Sequence, residues 1–498
     1  MNRSGRFRAL GLILSAGSTA LACHTGPLFS QSKTGDDHRA DASAAAAECG
    51  AVGTFADGKT PSRIRHVSIA GSDTAGDGSA TRPFGTIATA ARGISPGTAI
   101  YVHAGTHQGG TFLTGLQGTE AQPVWIAGAP DESRPVIRGG GEGLHLTRPR
   151  YVVLQNLEVV DTSDNGINVD DGGEVANPEA ARFVVFRDLD IHDTGKRPGG
   201  VPNCLKISGL NDFVILGSRF SRCGSGPSSG AVGVDGVGVH RGRVSFNRFL
   251  ANGFGGVQLK GASHEVEITS NLFEDTGWRG VNMGGSTGEA FFRPPLSGSA
   301  LNYEAARIRV SANIFNGSEA AASFAGCVDC EFSHNTVVNP SRWVIRILQE
   351  TVTIAGFMFA PAARGVIAGN IFYFRRSDLS AGEDINVGSG TDTRSFLLAD
   401  NLWYAHDKPV QSNPRIASFD GTHTGSTAGT SPDFVNPDTG DFHVKAAPVP
   451  GKAGSVRFAP RSDFAGRCYG KPPSLGALER LSRFFGPRSF ISPSAPAL

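Results

Sequence analysis

The sequence has almost no excess of either charge. Its 46 Lys and Arg against 45 Asp and Glu leave a net +1, too little to neutralise a phosphate backbone, which argues against nucleic-acid binding. Charged residues make up only 18% of the 498 positions, and there are three Met and four Trp. Beyond the N-terminus no segment is apolar enough to span a bilayer. What the chain does contain is 67 Gly and 31 Phe. That balance suits short strands joined by tight turns better than long helices.

The first residues read as an export signal. Arg3, Arg6 and Arg8 precede an apolar stretch from Ala9 to Leu14, and small residues follow through Ala22, the pattern of a signal peptide over residues 1–22. Ala20-Leu21-Ala22 has the small-x-small form of a cleavage site. Cys23 then resembles the acylated Cys of a bacterial lipoprotein, although Ala20 stands where a lipobox usually carries Leu. A freely secreted form and a form anchored to the bacterial envelope through a lipid on Cys23 are both open. Residues 23–63 are mostly small or polar, cannot bury a core, and read as a disordered tether. Export places the remaining cysteines in an oxidising compartment. Cys327-x-x-Cys330 lacks the second pair or the His residues of a zinc site, so it reads as a local disulfide or two buried thiols.

A short motif recurs along the middle of the chain: a polar residue, often Asn, then any residue, then Phe or another large apolar one. It appears at Asn156, Asp188, Ser218, Asn247, Asn271, Asn313, Asn335, Asn370 and Asn401, at intervals of 22 to 42 residues. Constant motif with variable spacing is the mark of a solenoid whose insertions fall in loops. Apolar-x-apolar triplets flanked by Gly form a second, offset series at Leu144–Leu146, Ile167–Val169, Leu205–Ile207, Val237–Val239, Val257–Leu259, Val281–Met283 and Ile345–Ile347. Alternation turns the outer two residues of each triplet inward and the middle one outward. Several short strands per coil, all running one way, predict an all-β chain wound as a parallel β-helix. The usual hand of parallel crossovers makes it right-handed. Inward Asn at a repeated turn predicts a hydrogen-bonded ladder between coils.

A solenoid needs closed ends. Phe84, Ile87, Ala88, Ala91 and Ile94 fall at helical spacing, which predicts an N-terminal capping helix over residues 83–94. The run Gly71-Ser72-Asp73, Pro83-Phe84-Gly85-Thr86-Ile87 and Pro96-Gly97-Thr98-Ala99-Ile100-Tyr101-Val102 resembles the N-terminal cap of the pectate-lyase-like β-helix superfamily. Pro432-Asp433-Phe434-Val435 with Leu475-Gly476-Ala477-Leu478-Glu479 resembles its closing segment. The resemblance implies one β-helix domain over residues 64–479 and a loose tail over 480–498. It implies little about chemistry, since this architecture carries many activities.

The outward positions of the triplet strands form the candidate site. Lys206, Asp235, His240, Lys260, Arg279 and Asn282 are expected to share one patch, with Asn203, Gln258 and Arg346 on the same face and loops bearing Arg293 and Tyr303 as walls. Cations, amides and aromatic rims suit an extended acidic polysaccharide bound by a monomer. Eliminating across a uronic acid needs a cation near the carboxylate and a base at C5. A lysine serves as that base when nearby cations and partial burial lower its pKa. The stretch Gln258-Leu259-Lys260-Gly261 followed by Gly277-Trp278-Arg279-Gly280 is similar to the Lys-then-Arg arrangement of the chondroitinase B and alginate lyase family. That resemblance implies Lys260 as base and Arg279 as acid or neutraliser, with His240 a further catalytic candidate. Acidic calcium ligands often precede the lysine in that family, whereas Gly255, Gly256 and Gln258 stand here. Asp170, Asp171 and Asp235 are the residues left to hold calcium from neighbouring coils. The alternatives are a non-catalytic glycan-binding or cell-surface protein and, third, a glycoside hydrolase, for which no convincing carboxylate pair is evident on the groove face.

Overall fold

The computed structural model describes residues 49–195, 202–224, 230–445 and 456–480. The signal segment, Cys23, most of the expected tether and residues 481–498 lie outside the described residues. Within them the chain winds into three parallel sheets of 15, 12 and ten strands, the middle coils contributing to all three. The fold is a parallel β-helix.

Two columns of side chains explain why the coils stay in register. Phe220, Phe249, Phe273 and Phe315 pair in register on the 12-stranded sheet. Their rings stack at 5.1, 4.8 and 4.7 Å and are essentially fully buried, each burial contributing about 2–3 kcal/mol. Beside them runs the predicted ladder. The Oδ1 of Asn271, Asn313, Asn335, Asn370 and Asn401 each accepts from both the backbone N–H and the Nδ2 of the preceding rung, at 2.8–3.2 Å. Serines close both ends: Ser218 N donates to Asn247 Oδ1, and Asn401 N donates to Ser426 Oγ. The ladder is shorter than the motif. Asn156 and Asp188 sit one residue earlier, in the left-handed turn position (φ 52° each) that Phe246, Ser270, Ala312 and His334 occupy in later coils. Buried Leu157 and Leu189 hold the ladder position there.

The capping helix is a single turn, Ile87–Ala90, capped by Thr86 Oγ1, which accepts from Thr89 N. It is shorter than expected because the Asp73 carboxylate accepts from Gly85 N, Thr86 N and Thr86 Oγ1, holding the chain before residue 87 in a turn. Ile87 and Ala90 face the core, with Phe84, Ala91 and Ile94 packed against it.

The expectation of a tether reaching residue 63 fails for its last part. Cys49 is disulfide-bonded to Cys468. Ala56 is buried against Ala99, Trp125, Val153 and Val185, with Phe55 beside it, and Arg63 already starts a strand. Cys327 and Cys330 form the local disulfide, and Cys204 pairs with Cys223. At the far end, the antiparallel strands Phe434–Asn436 and Asp441–Val444 pack with Leu475 and Leu478 on the outside of the 12-stranded sheet, over Ile314, Val338, Ile371 and Leu402. The closing segment then retraces the stack. Gly476 N donates to Gly369 O, Ala477 N to Thr336 Oγ1, and Ser270 Oγ to Asp463 O.

Candidate functional site

The ten-stranded sheet converts sequence alternation into a line. One residue per coil lies in register: Phe112, His145, Asn168, Lys206, Asp235, Gln258, Asn282, Ser323, Arg346 and Asn386. Neighbours are spaced by about 4.8 Å. The inward flanking residues, such as Val257, Leu259, Val281 and Met283, are at most 1% exposed, so the backbone beneath the line is rigid.

The polar groups are bonded to one another. Lys206 Nζ pairs with Asp235 Oδ2, and Asp235 also accepts from Asn203 Nδ2 (3.4 Å) and Gln258 Nε2 (3.3 Å). Asn282 Nδ2 donates to Gln258 Oε1 at 3.2 Å. Arg279 donates through Nη1 to Asn282 Oδ1 (2.8 Å) and through Nη2 to Glu350 Oε1 (2.9 Å), with its guanidinium over the Phe254 ring. Lys260 stands two positions along the strand from Gln258, on the same outward face. Among the described residues its ammonium has no hydrogen bond or ion pair. Gly285, at φ +147°, lies at the centre of the cluster. A Cβ there would lie 3.4 Å from Asn282 Nδ2, 3.6 Å from Lys260 Cδ and 3.9 Å from Glu350 Oε2. The structure therefore brings Lys260, Arg279, Asn282 and Glu350 together.

Other expected members lie elsewhere. The coil read as Val237-Gly238-Val239 is really Val234-Asp235-Gly236, which moves Asp235 to the centre of the line. A Cβ at Gly236 would meet Leu259 Cδ2 at 2.7 Å and Val239 Cγ2 at 2.9 Å, so a larger residue in the third slot would displace those side chains. Gly238 forms the corner after the strand (φ +60°), so His240 belongs to the 15-stranded sheet. There it is buried, stacked on His264 at 4.0 Å, with its ring nitrogens 2.8 Å from Asn211 Oδ1 and 3.1 Å from the Arg293 carbonyl oxygen. Burial and the adjacent His264 push its pKa down to about 3. It does not join the lysine site.

Arg293 and Tyr303 are not groove walls. The segment carrying Arg293 folds back over the corner glycines, and Arg293 makes a two-pronged ion pair with the buried Asp171, at 2.7 and 3.0 Å. Tyr303 lies beside His264. The three carboxylates expected to hold calcium are thus divided. Asp171 is taken by Arg293, Asp235 by Lys206, and Asp170 Oδ2 lies 2.6 Å from His145 Nε2. Among the described residues no three His, Cys, Asp or Glu side chains are grouped to hold a metal.

Three acidic residues escaped the sequence reading. Glu350 is 71 positions from Arg279, with no local pattern to mark it. Glu142 lies 2.7 Å from His145 Nδ1, so His145 sits between two carboxylates on the same face. Glu304 is fully buried and accepts from Gly261 N, Thr287 N, Thr287 Oγ1 and Thr351 Oγ1, tying together three loops beside Lys260. Burial pushes its pKa up.

A family model described as "Right handed beta helix region" matches residues 142–339. The chain is a right-handed parallel β-helix. A search of curated proteins returned no match. Among solved structures, this β-helix is similar to the pectate lyase Pel9A, at 16% identity over 85% of this chain and 98% of that one, with a TM-score of 0.53. XylC in complex with xylose matches at 12% identity, 84% and 98% coverage and a TM-score of 0.51. A rhamnogalacturonan lyase matches at 14%, 75% and 91%, with 0.50. At these identities the likeness is one of fold.

Proposed function

We propose that this β-helix protein binds an acidic, uronate-containing polysaccharide along its ten-stranded face and cleaves it by β-elimination at Lys260. The observation that carries the reading is Lys260 itself, an amine with no hydrogen bond or ion pair among the described residues, beside Arg279, Asn282 and Glu350. As the neutral amine, Lys260 takes the C5 proton and becomes an ammonium, the C5–H electrons form the C4–C5 double bond, and the glycosidic oxygen leaves from C4 and takes a proton from solvent water. Arg279, positioned by Glu350 and Asn282, supplies positive charge for the uronate carboxylate as charge builds on it. Gln258 and Asn282 offer amides to ring hydroxyls, and the coil spacing is close to the rise of one pyranose in an extended glycan. The pectate lyase and the rhamnogalacturonan lyase that share this fold add to this reading by analogy.

One observation favours a second reading, a glycan-binding protein without catalysis: Lys206 and Arg279 are already neutralised by Asp235 and Glu350. Purified protein incubated with a panel of polyuronates separates the two. Elimination yields products with the ultraviolet absorbance of an unsaturated uronate, and Lys260→Ala lowers that rate by at least about a hundredfold, the scale of a lost general base. Unchanged activity in Lys260→Ala removes Lys260 from the chemistry. Binding without product on every polyuronate replaces the lyase with the binding protein.

A further inference from the structure

Past the lysine cluster the line of outward residues continues to Ser323, Arg346 and Asn386. The guanidinium of Arg346 packs over the Trp343 ring at 4.2 Å, and that of Arg342 lies 4.1 Å from the same ring. Three guanidinium groups therefore crowd this end: Arg279, Arg342 and Arg346. Two have carboxylate partners, Glu350 on Arg279 and Glu319 on Arg342 at 3.4 Å. Arg346 has only a neutral one, Asn386 Oδ1, to which its Nε donates at 3.0 Å. Its Nη groups have no hydrogen bond among the described residues. Burial, with the charge of Arg279 next, pulls its pKa down to about 10. In the strand between it and Asn282, Ser323 Oγ is fully buried and without a hydrogen-bond partner.

Trp343 and Asn386, which flank Arg346, also line a cavity of about 590 Å³ together with Glu319, Ser341, Arg342 and Ser380. It opens at the same end of the face and is mostly polar. Glu350 and Glu319 act on Arg346 only from a distance, and a half-buried cation with no carboxylate bonded to it, beside a polar cavity, has donors free for a further anion.

We infer that Arg346 and this cavity form an anion subsite, which holds a carboxylate or sulfate carried by a sugar roughly three residues along the chain from the one at Lys260. The register gives the distance. Gln258, Asn282, Ser323 and Arg346 are successive positions, three steps of about 4.8 Å, or roughly 14 Å. The inference rests on the ten-stranded face being the glycan groove. It narrows the substrate to glycans whose acidic groups recur within that span, and it makes the subsite read the chain rather than the bond cut.

Binding is measured in the Lys260→Ala background, so that no turnover occurs, with three hexasaccharide probes: an oligogalacturonate, a sulfated neutral galactan and an unsulfated neutral galactan. Adding Arg346→Gln is expected to weaken an anionic probe by about tenfold to a hundredfold, the value of one charge-assisted bidentate contact. The neutral probe is unchanged, and Arg346→Lys, which keeps the charge and loses the fork, falls between. A loss confined to the oligogalacturonate identifies the group as carboxylate, and one confined to the galactan sulfate identifies it as sulfate. Unaltered melting temperatures show that the variants are folded. Equal losses on charged and neutral probes, no loss on either anionic probe, or no affinity for them before Arg346 is changed would each overturn the inference. Wild-type protein that binds the oligogalacturonate through Arg346 but forms no unsaturated product would refute the lyase chemistry and leave the subsite standing.

Discussion

Replacing Asn313, an interior rung of the ladder, is expected to cost about 3–5 kcal/mol. The side chain makes five hydrogen bonds. Nδ2 donates to Ile268 O (2.8 Å), Ser311 O (3.0 Å) and Asn335 Oδ1 (3.1 Å), and Oδ1 accepts from Asn271 N (2.9 Å) and Asn271 Nδ2 (3.0 Å). Some partners have a second bond: Asn271 Nδ2 also donates to Val244 O and Thr269 O. The backbone N–H of Asn271 has no such alternative in a fully buried position. Asn313→Ala therefore leaves one orphaned buried donor, worth about 1–3 kcal/mol, and loses further bonds worth about 0.5–1.5 kcal/mol each, partly offset by those second bonds. That is a large share of the roughly 5–15 kcal/mol that holds a protein folded. Equilibrium urea unfolding followed by circular dichroism measures it. Ser426→Ala, which removes a single bond at the ladder's end, is the control at about 1 kcal/mol. A cost below about 1 kcal/mol for Asn313→Ala would refute the view that the ladder bears weight.

Acid should unfold the protein in part through His240. Its folded pKa of about 3 lies below the ordinary 6.5, so its contribution is present above pH 6.5 and fades as pH falls toward 3, by about 3 kcal/mol between pH 7 and 4. His240→Gln should flatten that slope, and equal slopes in the two proteins would contradict it. Removing the Cys49–Cys468 disulfide, which closes a separation of 419 residues, should cost roughly 3–5 kcal/mol. It should also expose residues 49–62 to protease while leaving the coils intact, and unchanged cleavage there would show that packing of Phe55 and Ala56 suffices.

Much of the architecture was legible because its signals are local. A buried Asn two residues before a Phe, repeated coil after coil, needs no long-range knowledge to be read as a ladder beside a stack. Strand alternation likewise put Lys206, Gln258, Asn282 and Arg346 on one line. The reading failed where a neighbour across the fold decides the residue type. Gly236 sits closely against Leu259 on the next coil, so a Val-x-Gly strand hid from a search for Val-x-Val, and His240 was carried onto the wrong sheet with it. Asp171 lies 122 positions from Arg293 and Glu350 lies 71 from Arg279. Such ion pairs leave no periodic trace, so an apparent metal ligand proved to be a counter-ion and the carboxylate paired with Arg279 went unseen.

The closing segment has a bearing on how the molecule comes apart. A stack of coils that touch only their neighbours ordinarily frays from its ends, one turn after another. Here the closing segment meets Ser270 at Asp463, is sewn to the N-terminal lead through Cys468 and Cys49, and then crosses the coils of Gly369 and Thr336 at Gly476 and Ala477. Neither terminal coil is a loose end, and losing one requires lifting the strip that crosses the others. Unravelling by increments gives way to a single costly opening, which shifts the protein's durability from equilibrium toward kinetics.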